Sequence, residues 1–504
     1  MTTLTLADTD PAEFAVDALV IGVYDNDGEL LLAPGGESVA AAFDGRLVQA
    51  LRLLGATATP GEVTKLAALG TVTAPVVAAV GLGAEPATAE TLRRAAGAAV
   101  RSLAGCDTAA LALPVGPDDG TPAGALRALA EGALLGAYKF GGYKTKPQPV
   151  RRDPVTAITL HVPDTKDKAA RAEIKRATVL AGAVTTTRDW VNIAPNELRP
   201  PQFADAVAEA ARKAGLEVEI LDEKALKKGG YGGILAVGLG SAAAPRLVRL
   251  AYRPRGAKKH VALVGKGITF DTGGTAIKPP QGMWEMKSDM GGAAAIAGVM
   301  LAAAELKPKV ALTAYLPMAE NMLSGTAYRP GDVVTMYGGK KVEVLNTDAE
   351  GRMILADAIV RAGEDGPDYL VETSTLTGGQ VVALGKRVAG VMGTPELTDR
   401  VRAAGEETGE VMWPMPLPDD VRKNMDSDIA DILQVAAGMD RAGHMLQGGV
   451  FLSEFVPEDL PWAHIDIAGP SYHSGEPTGH LAKGGTGVPV RTLYELLEDI
   501  ATNG

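Results

Sequence analysis

Along the first 160 or so residues, short uninterrupted apolar runs alternate with stretches of helical period. "AVDALVIGVY" (15–24), "APVVAAVGL" (74–82) and "TAALALPV" (108–115) read as buried strands. "ATAETLRRAAGAAVRSL" (87–103) and "PAGALRALAEGALLGAY" (122–138) space their apolar residues as helices do. Strand–helix alternation of this kind predicts a layered α/β domain. "GGYKTKPQPVRRDPV" (141–155) has Pro, Gly and basic residues but no hydrophobic period, so it reads as a loop approaching a domain boundary. After one more strand, "TAITLHV" (156–162), a helical pattern from about 166 to 190 would connect an N-terminal domain, 1–165, to a larger one, 166–504.

The second half repeats the alternation. A helix at 201–214 precedes strands at 216–221, 245–252 and 260–270 ("HVALVGKGITF"). Next come an Ala-rich run, "MGGAAAIAGVMLAAA" (290–304), strands at 310–317 and 368–375, and a C-terminal helix from about 490. The Ala-rich run is closed by Asp289 and Glu305 and is too short to span a bilayer, so it reads as a buried helix.

Composition narrows the function classes. A chain of 504 residues has room for a large core and two or more domains, and its 46% apolar and 22% charged residues are those of a soluble globular protein. A net charge of −12 argues against a general nucleic-acid surface and leaves only the local basic patch "KTKPQPVRR" (144–152) for such a role. Cys106 is the sole cysteine, so no intramolecular disulfide forms and a cytoplasmic address fits. The N-terminal "MTTLTLADTDPAEF" lacks the basic and apolar regions of a signal peptide. With one Cys and six His, any metal must lean on oxygen ligands.

Those oxygens gather in the second half. In "NTDAEGR" (346–352), Asp348, Glu350 and Arg352 alternate with Ala349 and Gly351, so in an extended chain all three would share a face. That pattern fits a solvated strand end with an ion pair, or a metal or anion site. A second segment, "VGKGITFDTGGTAIKPPQGMWEMKSDMGGAAA", sets Lys266, Asp271, Lys278 and Asp289 among glycines, without the order of a phosphate-binding loop. Asp289 reads equally well as the N-cap of the Ala-rich helix, and Asp271 as a turn residue. Brought together, the four carboxylates would repel one another unless cations neutralised them, and two divalent ions would do so. Spacing alone leaves both readings open.

Taken together, "NTDAEGR" and "VGKGITFDTGG…IKP…MWEMKSDMGGAAA" resemble the leucyl aminopeptidase (cytosol aminopeptidase) family. The resemblance extends through "TTTRDWVNIAPNELRPPQFA" (185–204), "GGILAVGLGSAAAPRLVRLAY" (232–252), "TSTLTGGQVVALG" (373–385) and "WAHIDIAGPSY" (462–472). It covers residues 170–504, while residues 1–165 carry no usable motif. It implies an α/β fold of two domains, a smaller N-terminal α/β domain and a larger catalytic one with a mixed central sheet flanked by helices. It also implies a cytoplasmic enzyme that cleaves the N-terminal bond of short peptides, assembled as a homohexamer without membrane attachment.

The site residues follow from the same resemblance. Lys266, Asp271, Asp289 and Glu350 would hold the tighter of two metal ions, zinc or manganese. Asp271, Asp348 and Glu350 would hold the more exchangeable one. Lys278 would stabilise the oxyanion, and Arg352, with backbone near Gly351 and Leu376, would hold a bicarbonate that serves as general base. Met286, Thr375 and Gly378 would line an uncharged pocket suited to Leu or Met. Where the family often has serines, this chain has Thr272, which keeps the hydroxyl, and Ala276, which does not. His464 reads as structural, His473 and His480 as loop residues, and Cys106 as packing. Two other readings stay open: another two-metal hydrolase, or a DNA-binding regulator known among some family members.

Overall fold

The apolar runs build two separate sheets in the computed structural model, which describes residues 2–116, 122–146 and 152–504. Residues 147–151 of the basic patch lie outside the described residues. The chain divides into one compact unit of Met1–Thr185 with Ser474–Lys483, and another of Thr186–His473 with Gly484–Gly504.

The first unit contains β1 (Thr3–Ala7), β2 (Ala18–Asn26), β3 (Glu29–Leu32), β4 (Val63–Ala67), β5 (Val76–Gly81), β6 (Thr108–Ala112) and β7 (Ala157–His161), in the order β1-β7-β6-β2-β5-β4 with β3 on β2. Its centre is parallel, and the strands read from continuous apolar runs, β2, β5 and β6, are its most buried members. The helices Ala89–Ser102 and Ala125–Gly136 lie close together because glycines face backbone: a Cβ on Gly132 would come 2.0 Å from the Arg93 carbonyl oxygen. Arg93 and Glu131, both buried, pair at 2.9 Å across that contact. The helix predicted at 166–190 is Lys168–Asn192.

The second unit contains β8 (Glu217–Leu221), β9 (Arg246–Tyr252), β10 (His260–Gly265), β11 (Gly267–Asp271), β12 (Ala311–Asn321), β13 (Val333–Thr335), β14 (Lys341–Glu343), β15 (Tyr369–Ser374), β16 (Ala389–Gly393), β17 (Met412–Pro414), β18 (Ile432–Leu433) and β19 (Trp462–Asp466). The large sheet runs β17-β16-β19-β15-β10-β12-β9-β8 with β11 beside β12, and β13, β14 and β18 form a small one. Strands β19, β15, β10 and β12 are parallel, while β8, β9 and β16 pair antiparallel, so the sheet is mixed as expected. The Ala-rich helix, Gly291–Leu306, packs on this sheet and is almost wholly buried. Met283–Leu306 is long and apolar enough to cross a membrane, but 78% of its apolar window is buried inside the protein, as in a core helix.

Two local expectations are corrected. The run 260–270 is not one strand: it breaks at Lys266, whose N–H goes to the Thr373 carbonyl (3.2 Å) and whose carbonyl accepts from Ala293 N–H (2.8 Å). Gly265 and Gly267 permit the break, since Cβ atoms there would meet Ala293 Cα at 2.7 Å and the Pro317 carbonyl oxygen at 2.6 Å. Nor is "NTDAEGR" extended. Ala349 N–H closes a turn onto the Asn346 carbonyl (3.0 Å), Asp348 N–H bonds the Asn346 side chain (3.0 Å), and the helix Gly351–Gly363 begins at once.

Candidate metal centre

The C-terminal ends of parallel strands meet in the second unit, where open α/β sheets carry their sites. Asp271 ends β11, Lys266 follows β10, and Thr375 follows β15. Asp348 and Glu350 come from the turn ahead of the helix Gly351–Gly363. Lys266 Nζ lies 2.8 Å from Glu350 Oε1 and 2.9 Å from Asp289 Oδ1, and donates to the Thr375 carbonyl at 2.9 Å. Lys278 Nζ lies 2.7 Å from Asp271 Oδ2 and 2.5 Å from Asp348 Oδ1. One carboxylate oxygen from each of Asp271, Asp289 and Glu350 falls within 4.8 Å of the others, and all three residues are buried.

Local geometry holds each group. Asp271 Oδ1 accepts from Gly273 N–H and from Asn321 Nδ2, both at 2.8 Å. Asp289 is not an N-cap: Met290 occupies that position and makes no side-chain cap bond. Its carboxylate instead receives Lys266 and, at 2.7 Å, the Thr375 hydroxyl. Gly273 has a left-handed φ of 85°, and a Cβ there would stand 2.8 Å from Asp348 Oδ1. Thr272 uses its retained hydroxyl on the Asn321 carbonyl (2.9 Å), and Ala276 contributes its N–H to Thr347 Oγ1 (2.8 Å).

Two ammoniums face four carboxylates, so the cluster is left with a formal charge of −2, with Lys266, Asp271, Asp289 and Glu350 buried and Lys278 and Asp348 half-buried. Burial and the Glu350 charge push Asp271 up to about 6. Burial also raises Asp289 well above the usual carboxylate range, and raises Asp348. Although burial opposes it, the lysines hold Glu350 below its ordinary value, and the carboxylates hold both lysines above theirs. Asp289 Oδ2 is buried without a hydrogen-bond partner among the described residues. An orphaned oxygen in an anion-rich cluster of hard donors fits divalent cations.

Arg352 sits apart from this cluster. It is 1% exposed, donates to the Gln434 carbonyl (2.8 Å) and lies 5.8 Å from the Phe451 ring centre. Its Nε is buried without a partner, and it forms no ion pair among the described residues, so it is not the partner of Asp348 or Glu350 across a strand face. Burial lowers it to about 10, and burial with the charges of Arg352 and Arg441 lowers His444 to about 4. The Leu376 N–H donates to Asp466 Oδ1 at 3.1 Å. A cavity of about 320 Å³ joins Lys266, Asp271, Lys278, Asp348 and Glu350 to Arg352 and His444. Half-buried Met286, buried Thr375 and exposed Gly378 line the same cavity.

The remaining candidates lie outside the cavity lining. His464 is fully buried and its Nδ1 bonds Glu372, which fits the structural reading. His473 belongs to a two-residue strand pairing, and Cys106 is half-buried and free. Sequence reasoning missed Asn321, Gln434 and Asp466, which hold the site from the ends of β12, β18 and β19; no motif signal marked them.

Comparison with known proteins identifies the family. The catalytic domain of the cytosol aminopeptidase family matches residues 185–494, and that family's N-terminal domain matches residues 20–147. A probable cytosol aminopeptidase of Streptomyces avermitilis is 49% identical over 99% of this chain and 98% of its own. One of Rhodococcus jostii is 51% identical over 97% and 96%. Among solved structures, the bottromycin maturation enzyme BotP in complex with Mn superposes with a TM-score of 0.85 at 37% identity, covering 97% of this chain and all of that one. A mutant of tomato leucine aminopeptidase gives 0.87 at 28% identity, over 99% and 96%. The chain belongs to the cytosol aminopeptidase family of metal-dependent peptidases.

Proposed function

We propose that this chain removes the N-terminal residue from short peptides, with two divalent ions in the carboxylate cluster. The observation that carries the reading is the excess of four carboxylates over two ammoniums, buried or half-buried, around one cavity. Lys266, entering as the neutral amine, would join Asp271, Asp289 and Glu350 around one ion, and Asp271, Asp348 and Glu350 would hold the other. Bound there, the ions supply Lewis acidity for the scissile carbonyl and a water acidic enough to give hydroxide near neutral pH. Manganese or zinc suits the donors, and BotP, at 37% identity, was solved with Mn.

Lys278 faces the cavity between Asp271 and Asp348, where its ammonium would meet negative charge growing on the carbonyl oxygen. The buried guanidinium of Arg352, which forms no ion pair among the described residues, suits a planar oxyanion, and a bicarbonate held there would supply the general base. Gly351 and Leu376 flank that guanidinium in sequence and in the cavity wall respectively. Met286, Thr375 and Gly378 offer no charge to a substrate side chain, which favours Leu or Met at the N-terminus. A cytoplasmic homohexamer completes the reading; the relatives' names support the compartment, and sedimentation velocity tests the assembly.

The deciding experiment measures metal content, and amino-acid release from a dipeptide panel, with and without manganese and chelator. Release of apolar N-terminal residues that is lost with chelator and restored by manganese is expected. Release that persists in metal-free protein would refute the reading. So would metal-loaded protein that cleaves a phosphomonoester but not leucine p-nitroanilide.

A further inference from the structure

Asp466 touches none of the four carboxylates or two lysines of the cluster, yet it is fully buried and two of its three hydrogen bonds reach the loop that follows β15. It ends β19, in register with Ser374 at the end of β15, so its carboxylate lies beside the chain as that strand exits toward the site. Oδ1 accepts from Leu376 N–H and Ala468 N–H, both at 3.1 Å, and Oδ2 accepts from the Thr377 hydroxyl at 2.7 Å. The Thr377 oxygen accepts in turn from Gln380 N–H (3.0 Å), so its hydrogen is free to point at Asp466. All three hydrogen-bond partners donate, as an ionised carboxylate requires, and they oppose the burial that raises Asp466 above the ordinary carboxylate value.

The decisive relation is covalent. The Leu376 N–H belongs to the same planar peptide unit as the Thr375 carbonyl, and that carbonyl accepts from Lys266 Nζ at 2.9 Å. A rigid trans peptide points its N–H and C=O in opposite directions, so fixing one end fixes the other. A carboxylate on the N–H also polarises the unit and makes its oxygen a stronger acceptor. The same residue sends its hydroxyl to Asp289 Oδ1 at 2.7 Å. Through one peptide, Asp466 thus sets an acceptor for the lysine, on the same residue whose side chain donates to the carboxylate beside it.

We infer that Asp466 is a positioning residue for the Lys266 amine, acting through the Thr375–Leu376 peptide. The inference rests on the two-ion reading above, in which Lys266 coordinates as a neutral amine. Such an amine has one lone pair and two N–H bonds. Committing one N–H to a fixed carbonyl leaves the lone pair free to face the place among the carboxylates that an ion would take, as outer partners orient metal-ligating histidines.

The test compares Asp466→Asn with Thr377→Val in the full-length protein. Asp466→Asn removes the charge that polarises the peptide while keeping the shape. Thr377→Val loosens the same loop and its helix cap without touching that peptide. After dialysis against graded chelator, bound manganese is counted per folded chain, with folding checked by circular dichroism. Loss of a partner in this outer position is expected to weaken one of the two ions by about 10–100-fold. Asp466→Asn should then titrate with a single tight ion, whereas Thr377→Val keeps both. Equal behaviour of the two variants, or two tight ions in Asp466→Asn, would overturn the role of Asp466. Fewer than two ions in the unmodified chain would instead sink the two-ion reading itself. Should Asp466→Asn not fold, Asp466→Glu, whose longer side chain displaces the carboxylate from the Leu376 N–H, takes its place; unchanged affinity for both ions there equally overturns the inference.

Discussion

Gly351→Ala separates the two things a glycine does at a helix start. A Cβ at this position would stand 2.5 Å from Lys266 Cε, 2.6 Å from Nζ and 2.8 Å from Cδ. Non-bonded carbon atoms rest at about 3.5–4.0 Å, so the lysine end must retreat by roughly 1 Å. Its contacts to Glu350 and Asp289, now 2.8 and 2.9 Å, would then leave hydrogen-bonding range. A displacement of about 1 Å at a reacting centre costs on the order of 10²-fold in rate. Stability moves little, because replacing a helical glycine gains up to about 1 kcal/mol while overpacking costs about 1–3 kcal/mol. The expected result is a folded protein with a melting midpoint within several degrees of the parent, turnover of leucine p-nitroanilide down by about 10²-fold, and less metal retained after dialysis. Parental turnover with full metal content would refute the argument, since the lysine end could then move without consequence. A collapse of stability would refute it differently, by placing the strain in the backbone rather than at the lysine.

Lys278→Ala should cut turnover by about 10²–10³-fold, the loss seen when one oxyanion donor is removed, while metal content by elemental analysis holds; a variant that mainly sheds metal would assign Lys278 to binding instead. Asp348→Asn should stay folded and lose both metal and turnover, and parental turnover in that variant would remove Asp348 from the site. A fourth expectation concerns acid. Hydrogen bonds from Tyr315, Arg249 and Arg361 outweigh burial and lower Asp365 to about 2 from 3.8. A depressed carboxylate stabilises the fold above its unfolded value and loses that contribution as pH falls from about 4 toward 2. The shift corresponds to at most about 2.4 kcal/mol, and solvent screening at this partly exposed group reduces it to about 1 kcal/mol. Urea titrations of Asp365→Asn should show a shallower acid limb by that amount, and an unchanged limb would contradict the ion-pair account.

What was legible in the chain follows physical lines. Strands β2, β5 and β6 and the helix Gly291–Leu306 announce themselves because burial on both faces demands unbroken apolar runs. Strands β1, β3 and β4 are short and half exposed, and their weak alternation drew no assignment. Asp289 misled because the residue types that cap helices are also those that bind cations. In "NTDAEGR", two-residue spacing suggested a strand, but an Asx turn and a helix start reach the same grouping with only two of the three charges at the cluster. The strand break at Lys266 hid inside an apolar run because it depends on Thr373 and Ala293, which only the tertiary fold brings alongside.

The site depends on separating charges that a looser fold would let cancel. Arg352 lies two residues from Glu350, yet its guanidinium is turned onto a carbonyl and an aromatic ring instead of a carboxylate. Had it paired with Glu350, the cluster would lose part of its pull on cations and the guanidinium its pull on an anion. The helix Gly351–Gly363 prevents this, because in a helix neighbours two apart point to different faces, whereas in a strand they would share one. The correction from strand to helix therefore changes the chemistry, not only the secondary structure. A strand would have placed Asp348, Glu350 and Arg352 together on one face, with the guanidinium cancelling one of the two carboxylates. The turn and helix leave a carboxylate cluster short of cations beside a guanidinium short of an anion, within one cavity. Two neighbouring places that attract ligands of opposite sign are what a hydrolase needs to hold an activated water on one side and a base on the other.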